Sequence, residues 1–338
     1  MTNDSRDTKP LPGIAAAATA PESRGREVPG GPSCPLCGLG GSLPVAEVPG
    51  DALRRLWRSR LEIEVPAEWP PRFTLRECAG CTLRFYDPVC VGAGEFYSRL
   101  QRFAWYYLEE KDEYALAARR IGPDHAVLEV GAGRGAFARR IACASYTGLE
   151  LSEAAAREAR ERGLDVRVES IEVFVRERAG QFDRVCLFQV LEHVPNPREF
   201  LRACADCVGS GGLLIVSVPS EDSFLREETN AVLNLPPHHQ TRWTDRALAA
   251  ALTALGFELL ELAPEPLADH HLVNCARARA QTTLRRLLRR DYRLVDPLFA
   301  MLPMRAAVAA ASLPYERRLR RSRLLTRGHS VTAIGRKP

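Results

Sequence analysis

The pattern of apolar and polar positions changes near Ala126. From there to the C-terminus, short apolar runs alternate with segments in which apolar residues recur every three or four positions. This alternation is typical of parallel βαβ units and predicts an α/β fold with a doubly wound, seven-stranded, mostly parallel sheet. The predicted strands are 126–130, 146–150, 165–168, 183–188, 212–218, 257–263 and 328–335, and the predicted helices are 134–143, 152–162, 197–207 and 244–255.

The segments outside this pattern differ from it in composition. Residues 1–33 are rich in Pro, Gly, Ala and charge and show no helical or strand period, which predicts a disordered leader. Residues 95–121 read as helical and carry many aromatic side chains, which would either form a lid over the site or simply pack. The predicted units are a leader 1–33, a module 34–92 that contains four cysteines in two close pairs, a helical lid or linker 93–122, a core 123–267, a basic helical insertion 268–326 and the last core strand 327–338.

The connection before the last strand is long and basic. It far exceeds the usual two to six residues of a tight connection, so we expect it to contain amphipathic helices at 278–291 and 304–325. Leu284, Leu287 and Leu288 line one predicted face. The net charge is +5, yet residues 276–338 hold 16 basic and only three acidic residues, so the remainder is acidic. The 276–327 segment therefore predicts contact with phosphate, nucleic acid or a membrane surface, or else is a solvated arginine-rich face.

The N-terminus does not resemble a secretory signal. Four charged residues precede only a short run, Ala15 to Ala18, which is too weakly apolar for a signal core. The sequence therefore predicts a cytoplasmic protein, in which the ten cysteines are expected to be thiols or metal ligands rather than disulfides.

Two C-x2-C pairs occur near the N-terminus. Cys34 and Cys37 precede Cys78 and Cys81 by 40 residues of intervening chain, and four thiolates in two such pairs suit one tetrahedral structural Zn²⁺. All four positions are cysteine, so no position remains for a catalytic water. Cys204 and Cys207 share the spacing but fall in a predicted helix with no second pair nearby, which favours core packing.

A glycine-rich turn follows the first predicted strand. Gly131, Gly133 and Gly135 can adopt positive φ and allow a ligand to approach the backbone. The G-A-G-R-G spacing differs from the G-x-G-x-x-G of dinucleotide-binding proteins, but by itself it leaves other nucleotide ligands open.

The sequence E-V-G-A-G-R-G, followed by Y-T-G-L-E-L-S, resembles the first two motifs of class I S-adenosylmethionine (SAM)-dependent methyltransferases. The resemblance implies that Glu150 accepts hydrogen bonds from both ribose hydroxyls of SAM, a role that suits a carboxylate. It implies that Glu129 and the 131–135 turn hold the methionine part and that Ser170 and Ile171 flank the adenine. The implied cofactor-binding residues are Glu129, Gly131, Ala132, Gly133, Gly135, Glu150, Leu151, Ser170, Ile171 and Phe188.

Two later motifs resemble the ubiquinone-type branch of the same family. They are the stretch from Phe182 to Pro197 and the stretch from Pro236 to Thr244, and the resemblance covers about residues 120–264 and the last strand. His193 and His239 are expected at the carboxyl ends of strands, where α/β sheets bind ligands. We predict them to be catalytic bases, with His238 as an alternative, although each also fits a structural role.

Some relatives in this family bind a divalent ion through E-x-x-E-H after the fourth strand, and some add a later histidine. Here Gln189 stands at the first position of that motif, which leaves Glu192, His193 and His239. A catalytic Mg²⁺ therefore stays an alternative, because losing one carboxylate weakens a site for a hard cation.

The sequence leaves three functions open. The favoured one is methyl transfer from SAM to a hydroxyl of a small-molecule or glycan acceptor, with carbon and nitrogen acceptors as alternatives. It is favoured because the zinc knuckles resemble those before bacterial enzymes of secondary metabolism and surface-glycan assembly. The second is an RNA methyltransferase that uses the zinc module for recognition, and the third is a non-catalytic protein that binds SAM or a partner. The acceptor, the pathway and the oligomeric state are not indicated by the sequence.

Overall fold

The computed structural model describes residues 31–65, 68–103 and 105–338. All but the last three residues of the predicted leader, 1–33, therefore lie outside the described residues.

The first described unit is a small antiparallel sheet with one helix. Its elements are β1 (Leu43–Pro49), α1 (Gly50–Leu61), β2 (Arg72–Glu77) and β3 (Arg84–Asp87). The sheet order is β1-β2-β3-β9, so its fourth strand, β9 (Thr241–Arg242), comes from a much later part of the chain. Helix α1 buries Leu53 and Trp57, and the Trp57 Nε1–H donates to the Pro236 carbonyl oxygen at 2.8 Å.

The aromatic segment forms two short helices joined by turns. They are α2 (Gly94–Leu100) and α3 (Asp112–Ala118). Phe96 and Leu100 of α2 pack into the same apolar cluster as Trp57 of α1.

A seven-stranded sheet forms the centre of the chain, with strand order β10-β11-β8-β7-β4-β5-β6. β11 is antiparallel to both of its neighbours, and the other adjacent pairs are parallel. The predicted fold class is thus confirmed, and every predicted strand is present within a few residues. The strands are β4 (Ala126–Val130), β5 (Ser145–Leu149), β6 (Val166–Arg167), β7 (Phe182–Phe188), β8 (Val208–Pro219), β10 (Glu258–Pro266) and β11 (Arg327–Arg336).

Helices cover the sheet, with two departures from the sequence-based prediction. A helix that was not predicted occurs at Ile171–Arg178. The helix expected at 134–143 is a single 3-10 turn at Ala138–Arg140. Positive φ at Gly133 and Gly135 keeps the backbone out of the right-handed helical region, and the Ala144 amide then bonds back to the His125 carbonyl at 2.9 Å. The core helices are α4 (Glu153–Glu161), α5 (Ile171–Arg178), α6 (Pro197–Cys207) and α7 (Asp245–Ala254).

The connection between β10 and β11 is helical, as its length and periodicity indicate. It contains α8 (Leu272–Leu287), α9 (Pro297–Ala300) and α10 (Leu302–Ser322). Ala280, Phe299 and Val308 bury one another between these helices. Among the residues that the structure describes, no helix is both long enough and apolar enough to span a membrane.

Candidate functional site

The glycine turn after β4 is a close-packed backbone loop. The amides of Gly131 and Ala132 both donate to the Leu149 carbonyl oxygen, at 2.8 and 2.9 Å, which draws the ends of β4 and β5 together. Gly131 has φ +79°, and a Cβ there would lie 2.3 Å from Val190 Cγ2. The turn therefore requires glycine on both conformational and steric grounds.

Glu150 lies directly beyond β5 and is held by backbone amides. Its Oε2 accepts from the Gly133 N–H at 2.9 Å, and its Oε1 accepts from the Ser152 N–H at 2.8 Å. Burial raises the pKa of this carboxyl, while the amide hydrogen bonds oppose that shift. Each carboxylate oxygen has a second lone pair, so the oriented group can still accept hydrogen bonds from a vicinal diol.

Glu129 lies in β4 and is almost inaccessible to solvent. The Tyr146 hydroxyl donates to its Oε2 at 2.5 Å. Burial raises the pKa of Glu129 to about 8, and the tyrosine hydrogen bond acts in the opposite direction.

The remaining residues predicted to bind the cofactor occupy varied environments. Phe188 is buried with its ring centroid 5.0 Å from Tyr114 and 4.8 Å from Phe137, whereas Leu151 is 72% exposed. Ser170 precedes helix α5, whose first residue, Ile171, is buried. Ala132 is buried, and Gly135 has φ +75°. Their cofactor roles stay predictions.

Three histidines meet at the carboxyl end of β7. His193 ends a 3-10 turn that follows β7, and His238 and His239 precede β9. The His193 ring centroid lies 4.4 Å from that of His238 and 4.9 Å from that of His239. The Gln240 amide donates to the Glu192 carbonyl oxygen at 2.8 Å and joins the two segments. The structure thus brings both predicted bases and the alternative, His238, into one cluster.

Hydrogen bonds fix how these rings are protonated. His193 Nδ1 lies 2.8 Å from the His238 carbonyl oxygen, and His238 Nδ1 lies 2.8 Å from the Leu233 carbonyl oxygen. A carbonyl only accepts, so each Nδ1 carries the proton and each Nε2 keeps a free lone pair in the neutral ring. His238 Nε2 is buried without a hydrogen-bond partner in the described part of the chain.

Burial sets the charge state of this cluster. It lowers the pKa of His193 to about 4 and the pKa values of His238 and His239 well below the ordinary value. The adjacent Glu192 is 1% exposed, and burial raises its pKa to about 8. Glu192 Oε1 lies 3.7 Å from His193 Nε2, and its Oε2 has no hydrogen-bond partner among the described residues. The three histidines are therefore neutral at pH 7.

Consecutive tyrosines connect the histidines with the glycine turn. The Tyr106 ring centroid lies 6.1 Å from that of His238 and 5.1 Å from that of Tyr107. The Tyr107 ring in turn lies 3.0 Å from where a Cβ on Gly133 would be. Tyr97 also contacts the cluster, with its ring centroid 6.1 Å from that of His193.

The structure adds two residues that the sequence did not single out as a pair. Gln189 Nε2 donates to Glu113 Oε1 at 3.3 Å and to Ser217 Oγ at 3.4 Å. Glu113 is 5% exposed, and burial raises its pKa. Gln189 also has φ +58°, an unusual conformation for a residue with a side chain. No sequence pattern signals Glu113, because it lies on the short helix α3 far from the recognised motifs.

The four cysteines of the two C-x2-C pairs converge. Cys34 Sγ lies 3.6 Å from Cys81 Sγ, Cys37 Sγ lies 3.4 Å from Cys78 Sγ, and all four sulfurs lie within 4.8 Å of one another. Tetrahedral zinc with bonds of about 2.3 Å requires sulfur separations of about 3.8 Å, so this donor set fits the ion. All ten cysteines, each within the described residues, are free thiols.

The two cysteine turns have the same backbone geometry. The Gly38 amide donates to the Cys34 carbonyl at 2.9 Å, and the Thr82 amide donates to the Cys78 carbonyl at 3.0 Å. Gly38 and Thr82 each follow the second cysteine of a pair, and their φ values are +79° and +64°. The repeated geometry is expected if both pairs bind the same metal ion.

The cysteine unit packs directly on the core. Leu36 and Leu83 share an apolar cluster with Leu191 and Leu201. Arg246 of α7 donates to the Gly80 carbonyl oxygen at 3.0 Å.

The strand order, with an antiparallel β11 between β8 and β10, and the acidic residue beyond β5 define a class I nucleotide-binding α/β core. A family model described as "Methyltransferase domain" matches residues 99–262. Residues 99–262 therefore belong to the SAM-dependent methyltransferase family, which confirms the resemblance.

Curated relatives match part of the chain. The chain is 36% identical to a ubiquinone biosynthesis O-methyltransferase of Marinobacter nauticus, over 40% of this chain and 60% of the relative. It is 37% identical to the protein of that name from Xanthomonas campestris pv. campestris, over 30% of this chain and 46% of the relative. The chain thus spans less than two thirds of the length of these relatives.

Solved structures with a similar fold include a SAM-dependent methyltransferase of Thermotoga maritima, described as a possible histamine N-methyltransferase. The sequence identity is 20% and the TM-score 0.45, and the match covers 72% of this chain and 97% of that chain.

Proposed function

We propose that the whole protein transfers a methyl group from SAM to a hydroxyl of a small-molecule or glycan acceptor, in bacterial secondary metabolism or surface-glycan assembly. One observation carries the proposal. Tyr107 contacts the glycine turn, and its neighbour Tyr106 contacts the histidine cluster. The predicted cofactor-binding turn and the neutral histidines are therefore linked by one aromatic pair, which supports a donor site and an acceptor site next to each other.

The chain's own residues suit SAM. Glu150 would accept hydrogen bonds from the ribose hydroxyls, and the backbone of the glycine turn would hold the methionine part. SAM, when bound, supplies the methyl group on a positively charged sulfur. Displacement of this kind depends chiefly on positioning and on exclusion of water, and Tyr106 and Tyr107 would supply the excluding wall.

His193 would receive the acceptor's proton at Nε2. Its Nδ1 proton is engaged by the His238 carbonyl, so Nε2 is the free lone pair. The low pKa of His193 makes it a weak base toward an alcohol. A methylated hydroxyl that still holds its proton is a far stronger acid than an imidazolium, so His193 can take that proton as the new C–O bond forms. His239, 4.9 Å away between ring centroids, is the alternative base.

The four cysteines would hold a structural Zn²⁺. Each sulfur would occupy one tetrahedral position, which leaves the ion without an open position for substrate. The ten free thiols are consistent with the cytoplasmic location that we propose.

The helical insertion offers a contact for an anionic partner. Leu287 is 74% exposed and lies among arginines in the sequence, and Leu302 is 76% exposed, with Arg305 three residues further on. The 276–327 segment would therefore contact an anionic membrane surface or acceptor, and a nucleic acid is the second candidate.

The test is transfer of labelled methyl from SAM to a panel of hydroxylated small molecules, glycans and RNA. We expect label in a hydroxylated small molecule or glycan. Label only in RNA, with strongly salt-dependent binding, would establish the second reading. SAM binding without turnover on any acceptor would support a non-catalytic role.

A further inference from the structure

A second cluster of ligating side chains lies apart from the histidines described above. Glu265 comes from the end of β10, His271 ends the 3-10 turn before α8, and His329 lies near the start of β11. One ligating atom from each lies within 4.8 Å of the other two. We propose that Glu265, His271 and His329 bind a divalent transition metal ion of the Zn²⁺ type.

The backbone around Glu265 is built to hold its carboxylate in place. Glu265 Oε1 accepts from the His329 N–H at 2.6 Å, and Oε2 accepts from the Ser330 hydroxyl at 2.7 Å. A Cβ on Gly328 would lie 2.6 Å from Glu265 Cγ and 2.4 Å from the Pro266 carbonyl oxygen. Gly328 thus permits the close approach, and the hydrogen bonds resemble the supporting contacts that orient metal-binding carboxylates.

The two imidazoles are stacked face to face, so one ring must rotate about its side-chain bonds before both in-plane lone pairs can reach one ion. The ring centroids of His271 and His329 are 4.5 Å apart with an angle of 11° between the planes. Phe224 flanks both, with its ring centroid 6.1 Å from that of His271 and 6.5 Å from that of His329. Burial lowers the pKa of His271 to about 2 and that of His329 to about 4, so both rings are neutral, which is the form that binds metals.

The donor set decides which ions fit. Two imidazole nitrogens and one carboxylate suit Zn²⁺ and its neighbours in the first transition row, whereas Mg²⁺ and Ca²⁺ prefer oxygen ligands. Bonds of about 2.0–2.2 Å to one ion require donor separations of about 3.4 Å. Closing from 4.8 Å therefore needs side-chain shifts on the order of 1 Å. Three protein ligands leave a fourth position for water or another small ligand.

The cluster lies on the ligand-binding edge of the central sheet. The Ser220 amide donates to the His329 carbonyl at 2.9 Å, immediately beyond the carboxyl end of β8. Only β8 separates β11 from β7, whose end leads to Gln189. Strands lie about 4.8 Å apart, so the cluster is about 10 Å from the end of β7.

The experiment uses the full chain, stripped of metal with a chelator, reloaded with Zn²⁺ and freed of excess ion before metal analysis. The wild type should retain one more equivalent of Zn²⁺ per chain than the variants His329→Ala and Glu265→Gln. Calorimetric titration should show Zn²⁺ binding at this site weakened about 100-fold or more, since even supporting residues contribute 10- to 100-fold. Glu258→Gln is the matched control, because Glu258 is an exposed carboxylate on the same strand, β10, but outside the ligand set.

Co²⁺ separates this site from the four cysteines. A thiolate site gives sulfur-to-cobalt charge-transfer absorption, which His329→Ala should leave unchanged while it removes one equivalent of bound ion. Cys37→Ser should weaken that absorption, while the ion bound by Glu265, His271 and His329 is retained.

Equal metal content in the wild type, His329→Ala and Glu265→Gln would overturn the proposal. So would loss of the extra equivalent in His239→Ala but not in His329→Ala, because the ion would then belong to the other histidine cluster. Neither readout depends on methyl transfer, so the proposal can fail or succeed independently of the proposed function.

Discussion

Arg84 of the N-terminal sheet and Glu221 of the core form a buried ion pair, with Arg84 Nη1 donating to Glu221 Oε2 at 2.9 Å. Arg242 of β9 donates from Nε to the other oxygen, Oε1, at 2.6 Å. Glu221 is 3% exposed. One carboxylate therefore compensates two buried guanidinium groups where the two sheets meet.

Glu221→Ala should destabilise the protein by about 3–5 kcal/mol, because it leaves the buried Arg242 without a carboxylate partner and Arg84 with only the partly exposed Glu77. Urea unfolding at pH 7 would measure the free energy change. Glu47→Ala is the control, since the Arg72–Glu47 pair is largely exposed and should contribute little. Similar losses in the two variants would contradict the expectation.

Glu150→Ala should weaken SAM binding by about 1–3 kcal/mol, or about 5- to 150-fold, through loss of hydrogen bonds to a charged acceptor. Calorimetry with SAM would measure the affinity. Glu153→Ala, on the exposed start of α4, should leave it unchanged. Unaltered affinity in Glu150→Ala would remove Glu150 from the cofactor site.

Glu129 should make stability depend on pH. Its pKa is about 8 in the folded protein and about 4.5 in the unfolded chain, so the folded state binds the proton more tightly. The resulting stabilisation is fully present below pH 4.5 and is lost as the pH rises through 8. Glu129→Gln lacks this titration. The free energy of unfolding of the variant minus that of the wild type should therefore increase from pH 5 to pH 8. Urea unfolding at pH 5 and at pH 8 measures this difference, and an equal difference at the two pH values would contradict the expectation.

Cys34→Ser or Cys78→Ser should remove one zinc per chain and lower the melting temperature, since metal binding contributes free energy of folding. Elemental analysis and thermal unfolding are the measurements. Cys143→Ser is the matched control, because Cys143 is a free thiol outside the cluster. Unchanged metal content and melting temperature in both cluster variants would refute the zinc site.

His193→Ala or His239→Ala should lower turnover by about 10²- to 10⁴-fold while SAM affinity stays intact, as expected for a positioned base. Single-turnover kinetics would show whether chemistry limits the rate. Near-normal turnover in both variants would show that catalysis depends on positioning of the substrates and not on a histidine base. Rescue by added Mg²⁺ would instead place an ion at Gln189, Glu192 and His193.

The strands of the core were predictable because buried parallel strands are apolar along their whole length and are separated by amphipathic helices. The absence of a helix at 134–143 was not predictable, because the effect of Gly135 on the following residues depends on the folded turn. Glu113 and the β9 pairing were also not predictable, since a single buried carboxylate and a two-residue strand leave no periodic signal. The histidine cluster was predicted residue by residue, but only the fold shows that His238 completes it.

The N-terminal sheet takes its fourth strand from β9, which is about 150 residues further along the chain. A chimera that exchanged only residues 34–92 with a relative would therefore pair a foreign β3 with the native β9 and would replace Arg84 while keeping its partner, Glu221. Recombination at this boundary should yield poorly folded hybrids unless the stretch from Glu221 to Arg242 is exchanged too. The N-terminal sheet and the stretch from Glu221 to Arg242 thus form one structural unit that is encoded by two separate parts of the gene.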